Sequence, residues 1–79
     1  MISQAQIDDW FVYHQPRPGQ QERYVAIREA AKRLAEVIVA SSVASPDQTA
    51  AIRKLRECVM TANQGIACER EDESASFVK

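Results

Sequence analysis

The sequence predicts an all-α fold, a short N-terminal helix followed by an antiparallel helical hairpin that assembles as a homo-oligomer. Two observations carry this expectation. Apolar residues recur at alternating steps of three and four along two long segments, with a serine-rich turn between them, and no period-two strand pattern occurs anywhere. The chain is also short. Its 79 residues fit one domain and leave much of the surface exposed unless disulfides, a metal or partner subunits intervene.

The first helix is expected from Ser3 to about Phe11, with Ser3 as cap and Ile7, Trp10 and Phe11 on one face. The run Tyr13-His14-Gln15-Pro16-Arg17-Pro18-Gly19 then breaks helix twice, because each proline lacks a donor and pushes its predecessor toward extended geometry. The second helix begins near Gln20 and reaches about Ala40, carrying Tyr24, Ile27, Ala31, Leu34 and Ile38 as an apolar stripe. Ser45-Pro46-Asp47-Gln48 is a helix start: serine at the cap, proline at the first position, then an acid, then a glutamine placed to reach back to the cap. The third helix carries Ile52, Leu55, Val59, Ala62 and Ile66 and extends to about Glu69, although Gly65 weakens the pattern locally. Two such stripes joined by a short turn pack antiparallel. The hairpin domain therefore covers residues 1–69, and the acidic tail, residues 70–79, is expected to fray.

Several classes of function are disfavoured. Ten basic and eleven acidic residues give a net charge of -1, and the interspersed signs argue against a duplex nucleic-acid partner. There is no glycine-rich phosphate loop and no metal-ligand spacing, and the one histidine, His14, has no nucleophile at a recognisable spacing. The protein is therefore expected not to be an enzyme, and no metal or cofactor is expected. Cys58 and Cys68 lie ten residues apart on one helix, roughly 15 Å, too far to bridge, and read as small apolar packers. No apolar run spans a bilayer and no leader pattern opens the chain, so a cytoplasmic location is expected and no membrane partner.

The residues left over suggest binding. Trp10, Phe11 and Tyr24 read as plugs for the open end of the hairpin, whereas Tyr13 stands at the edge of a proline-bounded turn, where a ring can offer its face to a planar ligand. Arg28 can supply a charge-assisted bond to a phosphate. Lys32 lies one turn away and is a further phosphate candidate, and His14 is a candidate contact whose alternative role is to secure the turn. Asn63 reads as structural, and Arg53, Lys54 and Arg56 as a solvated face.

The strings Phe11-Val12-Tyr13-His14-Gln15-Pro16-Arg17-Pro18-Gly19-Gln20, Tyr24-x-x-Ile27-Arg28-x-x-Ala31, Ser45-Pro46, Ala51-Ile52-Arg53-Lys54-Leu55-Arg56-Glu57 and Met60-x-x-Asn63-x-x-Ile66-Ala67 resemble the phage anti-CBASS cyclic-oligonucleotide sponges. Thoeris anti-defence sponges share the same hairpin domain. The resemblance spans roughly residues 8–69. It implies a homo-oligomer, typically a hexamer, that sequesters cyclic dinucleotide and sometimes cyclic trinucleotide immune signals between protomers without degrading them. Tyr13 matches the family tyrosine that stacks on a base, and Arg28 matches a basic position, often lysine, that pairs with phosphate. Arginine there substitutes a planar fork for a point charge. The family's trinucleotide-type pocket uses a basic residue near the end of the last helix, where Arg70 stands between Glu69 and Glu71, which leaves trinucleotide binding open. The rival reading is a helical oligomerisation or interaction module with no small-molecule ligand.

Overall fold

In a computed structural model, which describes residues 1–70 together with 72 and 73, three helices follow one another: α1 (Gln4–Trp10), α2 (Gln20–Ser41) and α3 (Pro46–Ala67). All regular structure among the described residues is helical. The expectation of a frayed tail falls mostly on residues outside the described set. Among the described residues no helix is long and apolar enough to cross a membrane.

Each helix start follows from local chemistry. Ser3 Oγ accepts from the Gln6 amide at 3.1 Å while Gln6 Oε1 accepts from the Ser3 amide at 2.8 Å, a reciprocal cap that satisfies two otherwise orphaned donors. α1 stops at Phe11, whose amide still donates to the Ile7 carbonyl. α2 starts after Gly19, whose φ of 86° lies in the left-handed region that a side chain resists. α3 starts as the sequence predicts, with Ser45 Oγ accepting from the Gln48 amide at 3.1 Å and Pro46 in the first turn.

The Gln48 side chain departs from expectation. Instead of turning back to its own cap, it crosses the turn and donates to the Ser42 carbonyl and hydroxyl at 3.2 and 3.1 Å, and to the Val39 carbonyl at 3.4 Å. The end of α2 has no glycine or basic residue to occupy its last carbonyls. Gln48 takes that role and couples the turn to both helices.

α2 and α3 pack antiparallel, since the start of α3 meets the end of α2 at Gln48 and the start of α2 meets the end of α3 at Gln20. The seam holds Tyr24, Ile27, Ala31, Ala35 and Ile38 against Ile52, Leu55, Val59, Asn63 and Ile66, all half-buried except Ile66, which is buried. Two positions differ from the sequence expectation. Leu34 is 48 % exposed, with Ala35 in its place, and Ala62 is exposed beside Asn63. In both helices the seam shifts to the neighbouring residue at that turn and returns to the expected stripe one turn later, at Ile38 and Ile66.

Ile66 is the one buried apolar side chain among the described residues, and Gln20, at 2 % exposure, is the one buried polar one. Gln20 Oε1 accepts from the Arg17 amide at 2.7 Å, and its Nε2 donates to the Ile66 carbonyl at 2.9 Å and to Glu69 Oε1 at 3.0 Å. Truncation strands these buried partners, so Gln20→Ala is expected to lower the free energy of unfolding by about 2–3 kcal/mol in urea denaturation at fixed protein concentration. Gly65→Ala should act the other way. A Cβ there meets nothing within 4 Å, and restoring helix propensity is expected to stabilise by about 0.5–1 kcal/mol in the same assay.

Candidate functional site

The proline turn between α1 and α2 is held by polar side chains from both of its ends. Arg23 and Glu69 form a two-pronged pair, Nη1–Oε1 at 2.6 Å and Nη2–Oε2 at 2.9 Å, with only 22 % and 11 % of their side chains exposed. Arg17 Nη1 donates to the Glu69 carbonyl. Glu69 thus joins the Arg17–Arg23 stretch to the end of α3. On the α1 side, His14 Nε2 lies 2.6 Å from the Asp9 carbonyl and donates to it, and Gln64 Nε2 donates to the Trp10 carbonyl at 3.2 Å.

Between these anchors Tyr13 projects outward, 82 % exposed. It borders an open hollow of about 590 Å³ with Gln15, Pro16, Arg17, Pro18, Gly19, Gln21 and Glu22. The backbone beneath the ring is fixed at Arg17 and His14, so the exposed face is presented from a constrained turn. An exposed aromatic face of this kind can take a base by stacking.

A second hollow, about 380 Å³, runs along the helix pair. Ala31, Ala35, Ile52, Leu55, Val59 and Met60 make it apolar, and Arg28, Lys32 and Arg56 bring three cations to it. None of the three has an ion-pair partner among the described residues. An apolar hollow with unneutralised cations suits a ligand that has flat apolar faces and carries phosphates.

Arg28 and Lys32 therefore share one hollow, and Tyr13 lies in another. Arg28 is nine residues past Gly19, about 13 Å along α2. His14 lines neither hollow and is bonded to Asp9. Arg70 is 76 % exposed, with Nε 3.6 Å from Asp72 and 3.4 Å from Glu73. Asn63, read as structural, has a buried Oδ1 without a hydrogen-bond partner among the described residues. Arg56, assigned from the sequence to a solvated face, is exposed and also borders the hollow of Arg28 and Lys32. The available signal was spacing: Ile52, Leu55, Arg56 and Val59 fall on one side of α3 at helical steps, and Met60 continues it.

Burial pushes the Tyr24 hydroxyl up, and the Glu69 charge adds to the shift. Burial also raises the Cys68 thiol, reinforced by Asp9. The Arg23 guanidinium is raised by its hydrogen bond to Glu69. Tyr24 and Cys68 are neutral below their ordinary values of 10.0 and 9.0. In that range their folded-state preference for the neutral form costs nothing, and as pH rises through the raised values the folded state must bear charges that the unfolded chain solvates freely. Stability is expected to fall as the pH climbs above 9.0, and Cys68→Ala should shallow that fall, checked by thermal unfolding across the alkaline range.

A family model described as Acb2/Tad1, hairpin domain, matches residues 3–67, and the chain belongs to that family, the anti-CBASS and Thoeris anti-defence sponges. No curated protein and no solved structure matches the chain.

Proposed function

We propose, from its membership of the Acb2/Tad1 hairpin-domain family, that this chain is a phage counter-defence sponge. It binds cyclic dinucleotide immune messengers inside the infected bacterial cell and withholds them, intact, from their effector. The observation that carries this reading is the hollow in which Arg28, Lys32 and Arg56 surround apolar side chains with no acidic partner among the described residues. Phosphates pair with the cations, and the flat faces of bases lie on Val59, Met60 and the alanines. Tyr13, exposed and backed by the clamped turn, supplies the stacking face.

One protomer presents these parts in separate hollows, so the proposed pocket takes Tyr13 from one copy and Arg28 from another within a homo-oligomer, a hexamer by family precedent. The nearly coreless protomer favours such assembly. Leu34, Val37, Val39 and Met60 are 48–67 % exposed, more unpartnered apolar surface than a monomer of this size usually carries. The same exposure favours the rival reading, an assembly module without a ligand. For a trinucleotide pocket, Arg70 stands beside Asp72 and Glu73, which oppose an anion there.

No chemical step is required, because a protein with many preformed sites lowers free messenger in proportion to its own concentration and affinity. Calorimetric titration against a panel of cyclic di- and trinucleotides is expected to give tight binding to at least one dinucleotide. Tyr13→Ala, Arg28→Ala and Arg56→Ala should each weaken it roughly 10- to 100-fold, the size of one lost stack or charge-assisted bond. The ligand should be recovered unchanged after heating the complex. A folded oligomer that binds none of the panel would leave the assembly module.

A further inference from the structure

Three segments far apart in sequence bring a carboxylate, an imidazole and a thiol together. Asp9 comes from the last turn of α1, His14 from the proline turn and Cys68 from the C-cap of α3. One ligand atom from each lies within 4.8 Å of the other two. His14 Nε2 is 3.5 Å from Asp9 Oδ1 and 3.8 Å from Cys68 Sγ. A tetrahedral zinc with ordinary bond lengths has edges of about 3.4 Å between nitrogen and oxygen and about 3.6 Å between nitrogen and sulfur. The two measured separations from His14 are close to these edges, and the Asp9 and Cys68 donors lie within 4.8 Å of each other.

We propose that Asp9, His14 and Cys68 form a divalent metal site, for which Zn2+ is the fitting ion. The donor set decides the class: a thiolate and an imidazole favour zinc over the hard calcium and magnesium ions, which take oxygen donors. Access is open, since the Asp9 side chain is 46 % exposed and His14 is 21 % exposed, and the fourth position falls to water. Coordination sends the Cys68 thiol proton to solvent. It also moves the imidazole proton from Nε2 to Nδ1, and the Asp9 carbonyl, now 2.6 Å from Nε2, gives up that hydrogen bond. Gln64 Nε2, donating to Cys68 Sγ at 3.1 Å, is in place to stabilise the resulting thiolate. The ion would join α1, the turn and α3 at one point, immediately next to Tyr13, and stabilise a chain that has one buried apolar side chain among its described residues.

The test uses the untagged, reduced, metal-free full chain titrated with Co2+, whose thiolate charge-transfer band and visible ligand-field bands report sulfur ligation and tetrahedral geometry. The expected result is saturation at one ion per chain, bleaching of both bands when Zn2+ is added, and an upward shift in thermal unfolding with Zn2+ alone. Cys58→Ser should keep the spectrum. Cys68→Ser should lose the charge-transfer band, and His14→Gln and Asp9→Asn should lose the tetrahedral intensity, with circular dichroism confirming that each remains helical. Absence of a charge-transfer band from the unmodified chain at one equivalent overturns the proposal whatever the variants do. So does a band that survives Cys68→Ser or disappears in Cys58→Ser.

Discussion

Glu69 and Gln20 together close the open end of this hairpin, and the shape of everything around the proline turn depends on them. Two amphipathic helices of 22 residues can pack along a seam, but that seam buries only Ile66 fully, so apolar contact alone does not fix how the N-terminal segment lies. The fixing is polar. Gln20 is held between the Arg17 amide, the Ile66 carbonyl and the Glu69 carboxylate, and the same carboxylate takes both prongs of Arg23. Low exposure at both partners shields this pair from the solvent screening that makes most surface ion pairs nearly neutral in effect. Its two-pronged geometry sets orientation as well as proximity.

What could be read from the sequence was the part governed by neighbours along the chain. Ser3 and Ser45 mark helix starts because a cap depends on residues two or three positions away, and Gly19 marks the end of the turn because its backbone needs a left-handed φ. Residue periodicity placed the hairpin and missed the seam by one position at Leu34 and Ala62, where Ala35 and Asn63 take the contact. Gln20 and Glu69 were illegible for a different reason. Polar residues of these types are normally exposed, and their partners lie across the fold, as far as 49 residues away for Gln20 and Glu69. Nothing local distinguishes them from solvated neighbours. Arg56 shows the same limit at the candidate site, since its place beside Arg28 and Lys32 exists only once the helices have paired. Asp9, His14 and Cys68 meet for the same reason.

The arrangement gives the chain two unlike surfaces joined by α2. One presents Tyr13 from a turn whose backbone is immobilised at Arg17 and His14. The other gathers Arg28, Lys32 and Arg56 around apolar side chains. Neither hollow holds both the Tyr13 ring and the three cations. In the proposed oligomer a second copy covers the first surface and supplies the second. Symmetric association does this without any new residue type, because each interface presents the same pair of surfaces in both directions.

The central claim is that the proposed messenger pocket is shared between protomers, and mixed oligomers test it most directly. Tyr13→Ala and Arg28→Ala chains, each deficient in binding alone, are unfolded together at equal amounts, refolded into mixed assemblies and titrated with the dinucleotide that the unmodified protein binds. If each pocket draws Tyr13 and Arg28 from different copies, random mixing restores about a quarter of the sites at unmodified affinity. If the two residues of a pocket belong to one chain, no mixed assembly contains an intact site, and the complete absence of recovered binding would contradict the account.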